Sequence, residues 1–152
     1  MNAVTADPAE MSGLEQLRAA FDQRREGSFK GIGKTLGFSA VEIEEGRVVF
    51  AGHPDESVYN PIGTVHGGYA ATLLDSAVGC AVHSKLKAGQ GYTTLELKVA
   101  YHRALTKHTG PVRAEGKVIQ VGRRAAFAEG RLTDLEGRLY ATATSTLLVF
   151  DR

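Results

Sequence analysis

The run from Gly68 to Leu86 constrains this chain most. It holds Tyr69, Ala70, Ala71, Leu73, Leu74, Ala77, Val78, Cys80, Ala81 and Val82, with one acid, Asp75, in its middle. Residues of this kind at this spacing predict a helix that is apolar on nearly every side. Such a helix must be buried on nearly every side. Its small residues let a sheet approach closely, and the rest of the chain supplies the sheet.

Before the helix, Val41 and Ile43 alternate with Glu42 and Glu44 from about Lys34 on. Glu45-Gly46 turns, and Arg47 to Ala51 returns as the second arm of a hairpin. After the helix, Leu95, Leu97, Val99 and Tyr101 alternate with Glu96, Lys98 and Ala100. Val112–Val121, Ala125–Thr133 and Leu139–Phe150 follow, separated by Gly110-Pro111, Gly122-Arg123 and Asp134–Gly137. Short connections predict antiparallel neighbours among these last four strands. Upstream, Ser12 and Glu15 form a capping box for an amphipathic helix carrying Leu14, Leu17 and Phe21 together with Arg18, Arg24 and Arg25. Gly27, Gly31 and Gly33 are expected to end that helix. The expectation is an α+β fold in which about six antiparallel strands curl around one apolar helix. The chain has 152 residues, enough for one core but with little to spare for the helix's second flank. A second copy of the protein is the economical cover.

Composition narrows the function. Lys+Arg total 18 against 17 Asp+Glu, which gives no broad attraction for nucleic acid. One cysteine cannot build a disulfide framework, so a reducing, cytoplasmic setting is expected. The opening MNAVTADPAEMSG lacks the apolar run of a secretory signal, and no stretch is long and apolar enough to suggest a membrane span. Residues 1–12 are expected to be a flexible lead-in and 13–152 one domain.

The chemistry concentrates around the helix start, Asn60-Pro61-Ile62-Gly63-Thr64-Val65-His66-Gly67-Gly68. Free amides and the positive dipole end at a helix N-terminus polarise a carbonyl oxygen, and glycine lets the ligand come close. Asp75 is a costly charge on an apolar helix and needs a reason. A tight loop-to-helix turn and a satisfied structural carboxylate are the plainer readings of Gly67-Gly68 and Asp75 taken singly. The histidines show no short metal-ligand spacing, so no metal is expected. Cys80 has no evident base beside it and reads as packing.

Together, Asn60, His66-Gly67-Gly68 and Thr72-Leu73-Leu74-Asp75 resemble the hotdog-fold acyl-CoA thioesterases, in particular the phenylacetate-degradation (PaaI-like) branch. The resemblance spans about Lys34 to Phe150. It implies a single hotdog domain, and it implies that Asp75 is nucleophile or general base. It gives the Gly67 amide the task of polarising the thioester carbonyl, with His66 and Asn60 helping to position that group. Thr94, or its neighbour Thr93, matches a hydroxyl residue that orients the water. Tyr101, His102 and Arg103, and the turn Gln120-Val121-Gly122-Arg123-Arg124, match stretches that hold coenzyme A. Ala104 stands where members often carry proline.

Gly67 and Asp75 lie eight positions apart, or about 12 Å along a helix axis. One thioester carbonyl cannot reach both. If both serve one substrate, they come from different subunits. The resemblance likewise implies a homodimer with sites at its interface, often paired into a homotetramer. The expected reaction is hydrolysis of an aromatic or medium-chain acyl-CoA, with coenzyme A as part of substrate and product and no separate cofactor. The competing readings are a hydratase or dehydratase on the same fold, a non-catalytic acyl-CoA-binding protein and a purely structural partner.

Overall fold

The computed structural model describes residues 7–25 and 30–152, without the side chains of 24 and 25. Helix α1 (Gly13–Arg25) opens the described chain, followed by a five-residue helix α2 (Ile32–Leu36). The hairpin β1 (Phe38–Glu44) and β2 (Arg47–Gly52) precedes a short 3-10 turn and the long helix α3 (Gly67–His83). Four strands complete the chain: β3 (Gln90–Tyr101), β4 (Val112–Val121), β5 (Ala125–Asp134) and β6 (Leu139–Asp151). The capping box forms: the Ser12 amide donates to Glu15 Oε2 at 2.7 Å and the Glu15 amide to Ser12 Oγ at 3.3 Å.

All six strands make one antiparallel sheet in the order β1-β2-β4-β5-β6-β3, and it wraps α3. Leu73, Leu74, Ala77, Val78, Ala81 and Val82 of α3 are fully buried. Each large aliphatic side chain so buried stabilises the fold by about 1.5–3 kcal/mol. Gly116 of β4 explains how close the layers come. A methyl group there would run into the backbone of Ala77 and Val78, so only glycine lets helix and sheet meet.

Several sequence expectations need correction. The helix starts one residue earlier than Gly68 and stops at His83 rather than Leu86. The Ser84 hydroxyl bonds back to the Ala81 carbonyl, and a tight turn carries the chain on to Leu86. Gly31 and Gly33 do not end α1. Gly31 caps α2, and Lys34 is helical rather than extended. Gly27 lies outside the described residues. The four last strands are not all neighbours either. β3 pairs with β6, while the chain from Tyr101 to Val112 crosses to the far side of β5 before β4 begins.

Among the described residues, the strand register shifts at four places, one of them at Tyr140 in β6, opposite Leu132 and Thr133. Val41, Leu95 and Ile119 drop out of register in β1, β3 and β4, and all three are exposed. In β1 the extra residue sends Ile43 towards the core and turns Glu42 outward. There Glu42 meets Arg113 and Arg47, at 2.8 Å for the latter, and Arg47 continues to Glu115 at 2.6 Å. Arg47 first, then Arg113, hold the Glu42 carboxyl below its ordinary range. Val49 belongs to the same outer face, since it pairs with Glu115, yet it is only 1% exposed. The ion pairs lie over it.

α3 keeps one flank half-exposed, along Ala71, Thr72, Asp75, Ser76 and Cys80. α1 covers part of the other end: the Gly13 amide donates to the Leu86 carbonyl at 3.0 Å, and Gly13 lies against the His83 carbonyl. The His83 ring is buried there and packs 5.7 Å from Tyr92, with no partner for Nδ1 among the described residues. Burial first, then the Arg152 charge, holds this imidazole below its usual range. Among the described residues, no helix is long and apolar enough to cross a membrane.

Candidate active site

The loop into α3 is folded by its own side chains. Asn60 Oδ1 accepts from the amides of Ile62 and Thr64 at 3.1 and 3.2 Å, and its Nδ2 donates to Thr64 Oγ1 at 3.0 Å. Gly63 supplies the positive φ that this tight turn demands. Asn60 is thereby committed to the loop and does not itself reach His66 or Gly67. Its influence on the site passes through the loop's shape.

His66 caps α3 twice over. Its Nδ1 accepts from the Gly68 amide at 2.8 Å, and its carbonyl accepts from the Tyr69 amide at 2.9 Å. An accepting Nδ1 leaves the ring proton on Nε2. Among the first three amides of the helix, only that of Gly67 has no acceptor within the described chain. It is a backbone donor at this helix end that no acceptor among the described residues occupies.

A cavity of about 390 Å³ opens at this point, lined by His66, Gly67, Ala70, Tyr101, Leu132 and Tyr140 among others. The Tyr101 hydroxyl donates to the Gly67 carbonyl at 2.7 Å. The loop after β3 hangs from Tyr140, whose carbonyl accepts from the amides of His102 and Arg103 at 2.8 and 3.2 Å. The Arg103 guanidinium lies 5.9 Å over the Tyr140 ring, within cation–π range. His102 Nε2 is bonded to Thr142 Oγ1 at 2.8 Å. Below them, Tyr140 donates to the buried Asp134, which also accepts from Arg138 and from the Glu136 amide. Burial pushes this carboxyl up, but the Arg138, Tyr140 and backbone donors outweigh it and leave it at about 2.

Asp75 sits elsewhere. It lies on the half-exposed flank of α3, outside the lining of this cavity, and accepts from Thr94 Oγ1 at 3.0 Å. The register separates the two threonines. Thr94 pairs with the buried Leu147 and faces the helix, while Thr93 pairs with Leu148 and is exposed on the opposite face. Two residues before Thr94, Tyr92 fills a notch at Gly79, where an added Cβ would stand 2.7 Å from its hydroxyl. Burial first, then the neighbouring Cys80 and Asp75, pushes this phenol well above its ordinary range. Sequence reasoning missed Tyr92, because a tyrosine fitted to a glycine on another element leaves no periodic signal.

The remaining candidates stand at the other end of the sheet. Gln120, Gly122, Arg123 and Arg124 are all exposed. Gly122 closes the turn by donating to the Ala125 carbonyl at 2.8 Å. Arg123 and Arg124 border a second cavity of about 380 Å³, floored by Leu148 and Phe150 beside Gln90. Gln90 and Tyr101 are the two ends of β3, so the arginines and Gly67 occupy opposite ends of one protomer. The structure therefore brings Thr94 to Asp75, and Tyr101 with Arg103 to the Gly67 cavity. It does not bring these groups or the arginine pair together within one chain. Among the described residues, no group of three or more His, Cys, Asp or Glu is placed to hold a metal ion.

A sequence model of the thioesterase superfamily matches residues 62–141, just over half of the chain. This chain belongs to the thioesterase superfamily. Its relatives include the 1,4-dihydroxy-2-naphthoyl-CoA hydrolase of Listeria monocytogenes, 28% identical over 119 residues, or 78% of this chain and 95% of the relative. The proofreading thioesterase EntH of Klebsiella pneumoniae is 28% identical over 107 residues, 70% of this chain and 77% of that one. Among solved structures, a variant of the phenylacetic acid degradation protein PaaI from Thermus thermophilus superposes with a TM-score of 0.69. It is 28% identical, and the match covers 76% of this chain and 96% of that one.

The superfamily's fold, a curved antiparallel sheet around a long helix, is the one described above. Its reaction, thioester hydrolysis, needs two things of a site: a donor for the carbonyl oxygen as it gains charge, and a base or nucleophile for the carbonyl carbon. Among the groups on α3, the Gly67 amide is of the first kind and the Asp75 carboxylate of the second.

Proposed function

We propose that this thioesterase hydrolyses acyl-CoA thioesters at sites built between two copies of the chain. The observation that carries the reading is the division of labour along α3. The free Gly67 amide borders a cavity at one end, and the Asp75–Thr94 pair stands on the open flank about 12 Å along the axis. In this reading the thioester oxygen of a substrate in the cavity accepts from Gly67, with His66 Nε2–H beside it. Asp75 of the partner chain attacks the carbonyl carbon or takes a proton from a water that does, with Thr94 orienting that water. The carbonyl electrons move onto oxygen, return, and expel coenzyme A as thiolate; in the water route the thiolate takes the proton that Asp75 accepted, and in the direct route it leaves an acyl–Asp75 anhydride behind. In the direct route one water then hydrolyses the anhydride, freeing the acid and Asp75 and giving its proton to the thiolate; in the water route the attacking water has already formed the acid.

The open edge of β3 supports the two-chain arrangement. Among the described residues this twelve-residue strand is bonded on one side only, to β6. An unpaired edge of that length is a template for another strand. A two-fold pairing there would carry the Asp75 flank and the Arg123-Arg124 cavity of one chain towards the Gly67 end of the other. The arginines, with Arg103, then meet the phosphates of coenzyme A. Two such dimers pairing into a homotetramer belong to the same proposal, as does a cytoplasmic setting. No cofactor beyond the substrate's own coenzyme A is invoked. For the acyl group, aromatic thioesters are favoured by the relative named for dihydroxynaphthoyl-CoA and by the one named for phenylacetic acid degradation. Medium-chain groups are the alternative.

Incubation with a panel of aromatic and medium-chain acyl-CoA thioesters and a thiol reagent tests this. Wild type should release coenzyme A. Asp75→Asn should lose about a hundredfold or more in turnover, the scale of one positioned base. Undiminished turnover by that variant removes Asp75 from the mechanism. Tight binding without turnover by wild type would make the protein an acyl-CoA binder. A monomer by gel filtration contradicts the shared site.

A further inference from the structure

Two consecutive glycines make a poor beginning for a helix that must hold an amide still. Gly67 and Gly68 lose more conformational freedom on ordering than any other pair of residues would. Yet the peptide unit that joins them is gripped at both ends. Its N–H, from Gly68, donates to His66 Nδ1 at 2.8 Å, and its carbonyl, from Gly67, accepts from the Tyr101 hydroxyl at 2.7 Å. The two grips come from opposite directions, one from the loop before the helix and one from the last residue of β3.

The Tyr101 ring adds a steric part. A Cβ at position 67 would stand 3.0 Å from its hydroxyl oxygen and 3.1–3.3 Å from its ring carbons. Tyr101 pairs with the buried Ala141 and so leans to the helix side of the sheet, but it is 55% exposed. An exposed phenol loses little by bonding water instead, so the contact contributes little to the fold. Its effect is geometric. A clamped 67–68 peptide restrains the Cα67–C torsion from one side, while the Tyr69 amide holds the His66 carbonyl at 2.9 Å from the other, and together they restrain the direction of the Gly67 N–H. Donors that need no reorganisation when charge develops are the effective ones.

We infer that Tyr101 is a positioning residue. With His66 it clamps the Gly67–Gly68 peptide so that the free Gly67 amide is held in one direction, and its ring is the β3-side wall of the cavity that the amide faces. This role differs from holding coenzyme A, and it rests on the reading of Gly67 as the donor to the thioester oxygen.

Tyr101→Phe keeps the wall and removes one grip. Its kcat should fall roughly three- to tenfold, the scale of one neutral hydrogen bond's worth of orientation, with KM within about twofold and an unchanged melting temperature. In the ligand-free protein, amide exchange at Gly68 should speed up by a similar factor. Tyr101→Ala removes the wall too and should raise KM and shift preference towards bulkier acyl groups. Unchanged kcat together with unchanged Gly68 exchange in Tyr101→Phe overturns the inference. So does a loss confined to KM, which would return Tyr101 to simple substrate contact. If wild type hydrolyses no thioester, the catalytic reading fails separately, and the exchange experiment still decides whether the clamp exists.

Discussion

The two ends of α3 use one device for opposite purposes. At each end a tyrosine of β3 lies over a glycine of the helix: Tyr101 over Gly67, and Tyr92 over Gly79. At the far end the phenol fills a notch, packs near the buried His83, and is joined by α1 against the helix terminus. At the near end the phenol is more than half exposed and grips the backbone itself. Where the contact excludes water it holds the layers together. Where it is left wet it directs a polar group and leaves a cavity beside it. Stability and presentation of chemistry are thus assigned to different halves of the same helix.

The largest effect is expected when the two groups proposed as catalytic, Gly67 and Asp75, are disabled on different chains. Gly67→Pro removes the amide proton at the helix position where proline is best tolerated, and its ring also presses on Tyr101, whose hydroxyl would stand 3.0 Å from the added Cβ; His66 already has the extended backbone that a following proline requires. Gly67→Pro and Asp75→Asn should each be about a hundredfold or more below wild type. Refolded together, they should recover roughly a quarter of wild-type activity, the share of intact sites in a statistical mixture of two-fold dimers. No recovery would place both groups in one chain's site.

A second test concerns the packed layer. Gly116→Ala forces helix and sheet apart and should cost about 1–3 kcal/mol by denaturant unfolding, the range for overpacked cores. Its kcat per folded molecule should stay near wild type. A kcat loss larger than the stability loss would show that the packed layer and the catalytic groups are not independent.

The smallest effect is expected at the support under the Arg103 loop. The Asp134 carboxyl sits at about 2, below the 3.8 of an unperturbed aspartate. A lowered value in the folded state stabilises the protein above about pH 4, and the benefit is lost as pH falls from there towards 2. Asp134→Asn should therefore melt earlier than wild type at neutral pH, with the gap closing across that acid window. A gap that is constant with pH would mean that the charge contributes nothing.

These contrasts also mark what the sequence could reveal. α3 was legible because a helix apolar on so many sides has one fate, and His66-Gly67-Gly68 was legible because it sits at that helix's start. The choice between Thr93 and Thr94 was not, since it depends on strand register, and only the pairing of β3 with β6 settles which threonine faces the helix. The neighbours of β3 are hidden in the sequence for a related reason. A connection of ordinary length can cross a sheet as easily as turn back along it, and which edge it reaches is decided by contacts far apart in sequence. Val41 and Leu95 broke the alternation because a bulge costs one residue and leaves no mark in composition. The tyrosine–glycine fits join residues 34 and 13 positions apart and have no local signature at all.

The bulge at Val41 carries a consequence for how this chain can change in length. Because one extra residue in β1 is what turns Glu42 out to Arg47 and Arg113 and Ile43 in to the core, losing it would reverse every side chain beyond. A carboxylate would enter the apolar layer, an isoleucine would leave it, and Val49 would lose the charged cover it lies under. Insertions and deletions in the surface loops are absorbed locally. A single-codon deletion at Val41 would be read by the whole corner of the sheet, which makes this edge of the molecule intolerant of indels while it still accepts point substitution at the exposed Val41 side chain itself.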